Sequence, residues 1–215
     1  MNKILHEITN LMNRVDNNIV IGISGHGASG KTTFANNLVN LLGQQGVNYI
    51  NTDPYIIGSN LRKYTSLEYE YKNEIHRHKM TACHPSAHNL FALERDITMM
   101  RDGLDFYTIG TDYMKSSFIS KQNKVNIVEG MSVAFIDPNL FDLKVYLYTD
   151  DQTELYRRSF RDVSERGRDL NQLKQSHHER RIQYELFMHP YHRNFDIVIK
   201  NSDEEVTVEK KVLMF

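Results

Sequence analysis

Apolar residues occur along this chain in two patterns. The first is the short stretch rich in apolar and β-branched residues: 19–23 (IVIGI), 47–51 (VNYIN), 125–129 (VNIVE), 143–148 (LKVYLY) and 196–200 (DIVIK). All five read as strands, and 19–23 and 125–129 as strands buried in a parallel sheet. The second is spacing by three and four. Residues 2–15 place Ile4, Leu5, Ile8, Leu11, Met12 and Val15 on one face, and Phe34, Ala35, Leu38, Val39, Leu41 and Leu42 follow residue 31. Leu90, Leu93, Ile97 and Met100 form a third stripe in a helix running to about residue 102, and residues 170–188 read as a further helix. Amphipathic helices bury such stripes. Strands alternating with helices predict an α/β fold, a five-stranded parallel sheet with helices on both faces.

The stretches between these elements are less regular. Gly43 and Gly46 mark a turn. Residues 104–109 and 117–119 are two β-like pieces around Gly110, which predicts a small hairpin with Tyr107, Asp112 and Tyr113 free to face a ligand. Residues 60–80 are dense in Tyr, Lys and Arg. They are expected to form a solvated helix, with cover for a substrate pocket as the other reading. Asp151 and Glu154 have the spacing of a capping box at the start of another helix. The last residues, with Val206, Val208, Val212 and Leu213, alternate loosely as an edge strand would.

One loop carries chemistry. Gly25-His-Gly-Ala-Ser-Gly-Lys-Thr32 fits G-x-x-x-x-G-K-[ST] and lies between a strand and a helix, the context this motif requires. Gly25, Gly27 and Gly30 let the backbone curl so that N–H groups, with those of Ala28 and Ser29, converge on phosphate oxygens. The helix N-terminus adds partial positive charge, with Thr33 in its first turn. Lys31 is expected on the β- and γ-phosphates and Thr32 on Mg²⁺. The chain therefore reads as a P-loop NTPase fold that binds a nucleoside triphosphate.

Two carboxylates follow strands. Pro54 ends the second strand, which puts Asp53 just past its C-terminal end, where open α/β sheets build sites. An acid there can take a proton from a substrate hydroxyl. Glu129 closes the third strand, before Gly130, where a carboxylate reaches Mg²⁺ in proteins with this loop. Later, five arginines lie within twelve residues: Arg157, Arg158, Arg161, Arg166 and Arg168. They read either as a solvated face or as a lid closing cations over a transferring phosphoryl group.

Composition narrows the rest. The net charge of −1 over 215 residues gives no support to nucleic acid or an anionic membrane as partner. With the single Cys83 no internal disulfide forms, which suits a reducing compartment. No signal core or bilayer-length apolar stretch is present, so a cytoplasmic protein of one domain over residues 1–215 is expected, with self-association left open. His84 and His88 stand four apart, but Pro85 separates them and a shared metal is not expected. A switch GTPase is disfavoured, because 123–126 (NKVN) lacks the final Asp of a guanine-reading Asn-Lys-x-Asp.

The loop at 25–33, the Val-Glu-Gly at 128–130 and residues 157–169 together resemble the uridine kinase/phosphoribulokinase family. The likeness covers most of residues 19–200, and its most specific stretch is 161–169 (RDVSERGRD). The resemblance implies transfer of the γ-phosphoryl of ATP, with Mg²⁺, to a primary hydroxyl. It also implies Asp53 as general base, Glu129 at the metal, and Arg161, Arg166 and Arg168 in a lid over about 161–169. Tyr55, His84, Arg158 and Gln175 would face the acceptor, within an acceptor-side insertion of about 54–121 and the helices after it. The acceptor half departs from the family. Ile56 replaces an aromatic, residues 82–86 read Ala-Cys-His-Pro-Ser where uridine kinases carry Phe-Asp-His-Pro-Asp, and 106–113 contain no His. The expected acceptor is a nucleoside, uridine or cytidine at the 5′-hydroxyl. The alternatives are a sugar phosphate, another nucleoside, a pantothenate-like alcohol, or a nucleotide-binding regulator without kinase activity.

Overall fold

A computed structural model describes residues 1–14, 17–43, 46–164 and 170–213. Helix α1 (Asn2–Met12) buries Ile4, Leu5, Ile8 and Met12. Strand β1 (Ile19–Gly25) is buried throughout, and the glycine loop leads into α2 (Lys31–Leu42). Next come β2 (Val47–Asn51), a short helix α3 (Ser59–Arg62), and a hairpin of β3 (Ser66–Tyr71) and β4 (Glu74–Lys79). Helix α4 (Leu90–Arg101) precedes a second, smaller hairpin of β5 (Phe106–Tyr107) and β6 (Phe118–Ile119). Strands β7 (Val125–Glu129) and β8 (Leu143–Tyr148), helices α5 (Asp151–Ser164) and α6 (Leu170–Phe187), and strands β9 (Ile197–Asn201) and β10 (Val206–Lys211) complete the chain.

The main sheet runs β10-β9-β8-β1-β7-β2. The five predicted strands are all present and mutually parallel. The sheet has a sixth member, however: β10 pairs antiparallel with β9, with a register shift between Val208 and Lys210. That shift breaks the period-two pattern, and Val206 and Val208 are exposed, so the sequence shows only loose alternation.

Alternation within β1 divides the core. Ile19, Ile21 and Ile23 pack with α1 and α2 on one face. Val20 packs with α4 and Tyr184 of α6 on the other. Gly22 faces the ring of Phe141, where a Cβ would stand 2.8 Å from a ring carbon. With both faces covered, the loops after β1, β2 and β7 are left at one sheet end, where the candidate residues meet.

Two local expectations are corrected. Residues 66–79 are a hairpin, not a solvated helix. Lys72 and Asn73 have φ of 53° and 65°, the left-handed pair of a primed two-residue turn. The hydroxyls of Tyr69 and Tyr71 donate to Glu179 (3.0 Å) and Glu185 (2.6 Å) on α6. At α5 the capping carboxylate is Asp150, not an Asp151–Glu154 box. Its Oδ1 accepts from the Thr153 N–H at 2.8 Å, and Glu154 turns inward. Cys83 is buried and unpaired with another cysteine, and among the described residues no helix is long and apolar enough to cross a membrane.

Candidate active site

The glycine loop is held from behind. Gly30 has φ of 91°, and a Cβ there would stand 2.3 Å from the side-chain amide nitrogen of Asn201. That amide donates to the carbonyl of Ser29 at 2.8 Å. Gly25 abuts β8, where a Cβ would stand 1.9 Å from the carbonyl oxygen of Leu147. Arg157 donates to the carbonyls of Asn201 (3.0 Å) and Ala28 (3.4 Å) and pairs with Asp203. Arg157 is thus a strut for the loop rather than a group in the site.

At the front of the loop, Thr32 Oγ1 donates to Glu129 Oε1 at 3.2 Å, and Lys31 Nζ is 3.7 Å from the same oxygen. Tyr49 donates to Glu129 Oε2 at 2.8 Å. Burial, then the Glu129 charge, raises the Tyr49 phenol well above its ordinary range, so it stays a donor. Glu129 is 1% exposed. A hydroxyl and a carboxylate held side by side are hard oxygen donors of the kind Mg²⁺ takes when phosphates supply its other ligands. Thr32 and Glu129 therefore fit a magnesium ion. Among the described residues no cluster of His, Cys, Asp or Glu forms a metal cage by itself.

Asp53 opens a turn of 3₁₀ helix after β2, its N–H donating to Asn51 Oδ1 at 2.8 Å. Tyr113 closes over it, with its hydroxyl on the Asp53 carbonyl at 3.1 Å. Asp53 and Lys31 line one cavity of about 700 Å³ together with Gly27, Arg158 and Arg161. Ile56, Ile57, Met80, Met114 and Met131 give it apolar wall, and Arg62 and Arg180 reach it from α3 and α6.

A buried ion cluster backs this cavity. Glu154, 2% exposed, lies 3.2 Å from Arg181, 3.4 Å from His26, 3.6 Å from Arg158 and 3.9 Å from Arg180. Burial alone would raise its pKa, but the ring N–H of His26 and the charged arginines outweigh burial and hold the carboxyl well below the ordinary range. His26 is a glycine-loop residue. Its Nε2 accepts from the Thr149 N–H at 3.0 Å, so Nδ1 carries the proton and donates to the Gly27 carbonyl at 2.9 Å. The cluster ties the loop to α5 and α6.

Some expected residues stand elsewhere. Tyr55 is 1% exposed, its hydroxyl bonded to Asp96, and it packs in the core rather than lining the cavity. His84 packs on Phe187, and its Nδ1 accepts from the Ser86 N–H at 3.2 Å. Thr33 is exposed on α2. Arg166 and Arg168 lie outside the described residues, as does the side chain of Gln175, so of the expected lid only 161–164, the end of α5, is described, with Arg161 lining the cavity. The residues that sequence reasoning missed are Arg62, Arg180, His26 and Glu154. Arg62 was hidden in a charge-rich segment, and Glu154 by its fit to a capping pattern.

The model of the phosphoribulokinase / uridine kinase family matches residues 20–208. A uridine kinase of Ligilactobacillus salivarius is 29% identical over 206 residues, 90% of this chain and 90% of that protein. Uridine kinase-like protein 5 of Arabidopsis thaliana is 31% identical over 88% of this chain, which spans 41% of that longer protein. Among solved structures, phosphoribulokinase from Rhodobacter spheroides superposes with a TM-score of 0.59 at 15% identity, over 86% of this chain and 71% of the other.

Proposed function

The chain belongs to the phosphoribulokinase/uridine kinase family, a phosphotransferase acting on a hydroxyl group, and we propose that it moves the γ-phosphoryl of ATP onto a small alcohol with Asp53 as general base. One observation carries the reading: Lys31 and Asp53 line a single cavity, with the Thr32–Glu129 pair beside Lys31. The amides of the glycine loop and the N-terminus of α2 hold the phosphates. Lys31 and Arg161 neutralise charge on the transferring group. Thr32 and Glu129 would hold Mg²⁺, which would supply positive charge to offset that developing on the phosphates. Asp53 orients the acceptor hydroxyl and takes its proton as the bond to phosphorus forms.

Uridine and cytidine are the first acceptors to test, because curated relatives at 28–29% identity are named uridine kinase. A non-nucleoside alcohol is the second reading. It is favoured because Tyr113 is the only benzene-type ring lining the cavity among the described residues, leaving a pyrimidine little to stack on. The test is Mg²⁺-dependent ADP release with uridine, cytidine, other ribonucleosides, ribulose 5-phosphate and pantothenate. Turnover that depends on one acceptor and falls about 10²–10⁴-fold in Asp53→Asn supports the proposal. MgATP binding without acceptor-dependent turnover overturns it in favour of a nucleotide-binding regulator.

A further inference from the structure

Glu129 is buried, and its two oxygens have different partners. Oε1 faces the glycine loop, where Thr32 Oγ1 donates to it at 3.2 Å and Lys31 Nζ stands 3.7 Å away. Oε2 accepts from the Tyr49 hydroxyl of β2 at 2.8 Å. Sheet register brings the tyrosine there. β2 pairs in parallel with β7, and Asn51 is the cross-strand partner of Glu129. Side chains alternate along a strand, so Tyr49, two places before Asn51, shares the face on which Glu129 lies. From that position only a long side chain reaches the carboxylate, and the phenol spans the gap. Its ring packs against the core layer that contains Ile21, Phe34 and Ile127, which limits its other orientations.

The division of the two oxygens has a chemical consequence. A carboxylate can give a metal one oxygen or both. Calcium accepts either mode in a flexible shell, whereas magnesium demands near-ideal octahedral geometry, which a carboxylate meets best through one oxygen. With Oε2 engaged by a hydroxyl donor, Glu129 offers Oε1, the oxygen beside Thr32. Hydrogen bonds to a liganding carboxylate fix its orientation, and losing such a bond typically weakens metal affinity about 10–100-fold.

We propose that Tyr49 is a positioning residue for the metal: it holds Glu129 by Oε2, presents Oε1 alone beside Thr32, and so favours magnesium over calcium. This rests on the assignment of Thr32 and Glu129 to Mg²⁺, and the test separates the two. ADP affinity is measured by calorimetry in EDTA, in Mg²⁺ and in Ca²⁺, for wild type, Tyr49→Phe, Glu129→Gln and the double variant. No step depends on turnover. The metal-free affinity reports the fold and the glycine loop, and the gain on adding metal reports the metal site. Wild type is expected to gain more from magnesium than from calcium. Tyr49→Phe should keep its metal-free affinity within about twofold yet need about tenfold more Mg²⁺ for half of the gain. Its preference for magnesium over calcium should fall about fivefold or more. Glu129→Gln should lose most of the magnesium gain. Adding Tyr49→Phe to it should then change the gain by less than about twofold, because the tyrosine acts through the carboxylate. A Tyr49→Phe protein that matches wild type in gain and preference, while Glu129→Gln loses them, overturns the proposal and leaves the metal assignment standing. Equal loss of ADP affinity with and without metal makes Tyr49 a structural residue and also overturns it. A Glu129→Gln protein that gains as much from magnesium as wild type overturns the metal assignment, and this proposal with it.

Discussion

Gly30 is fixed by two independent demands, a φ of 91° and the Asn201 amide 2.3 Å from any added Cβ. Gly30→Ala is predicted to cost about 1–2 kcal/mol of backbone strain. It should also displace Asn201 from Ser29 and weaken MgATP binding at least tenfold by calorimetry; unchanged affinity would show that the loop tolerates other geometry. These residues were legible in sequence because the phosphate loop makes its contacts through backbone at fixed spacing. Glu154 was not. Its neighbours His26, Arg180 and Arg181 are remote in sequence, and only folding reveals the shared carboxylate. Removing one partner of a buried ion cluster leaves the others uncompensated, so Glu154→Ala should lower unfolding free energy by about 3–5 kcal/mol in a denaturant titration. A loss under about 1 kcal/mol would mean that the arginines find solvent instead.

At the scale of elements, the parallel strands were readable because burial concentrates apolar and β-branched residues in them, most fully in β1, which is buried throughout. The β3–β4 hairpin was not, because only Tyr69 along it is buried and its charges resemble a solvated helix. Its period-two run of Leu67, Tyr69 and Tyr71, and the Lys72-Asn73 turn, were the available signals. Asn73 has φ of 65°, so Asn73→Gly is predicted to be neutral or stabilising by a few tenths of a kcal/mol. Asn73→Val should destabilise by about 1–2 kcal/mol, read as a shifted thermal midpoint. Because Lys79 and Met80, at and just after the end of β4, line the cavity, the Val variant should also raise the acceptor KM more than that of MgATP. The departures of the acceptor half from the family pattern were visible in sequence, but Arg62 and Arg180 on the cavity wall were not. Arg62 acquires its setting from the Ile57 and Met80 carbonyls only once the chain is folded.

For the whole molecule, charge and pH join stability to function. Burial pushes His88 down from 6.5 to about 4, its ring bonded to Ser132 Oγ and the Ala82 carbonyl, and burial with His192 does the same to His189. Both bind protons more weakly folded than unfolded. The stability they contribute is present above pH 6.5 and is lost as pH falls from there toward 4. Between pH 7 and 5, His88 should account for a loss of about 2 kcal/mol, and His88→Gln should flatten that part of a urea-midpoint titration. A midpoint independent of pH over this range would contradict the buried neutral imidazole. The central claim is phosphoryl transfer to an alcohol with Asp53 as base. It is tested most directly by following labelled γ-phosphoryl from ATP in a single turnover, wild type beside Asp53→Asn, at saturating Mg²⁺ and acceptor. The predicted result is label on the acceptor in the wild type and a rate at least 10²-fold lower in Asp53→Asn, with MgATP affinity within twofold. Equal rates in the two proteins, or label that stays on ATP in a protein that binds it, would contradict the account.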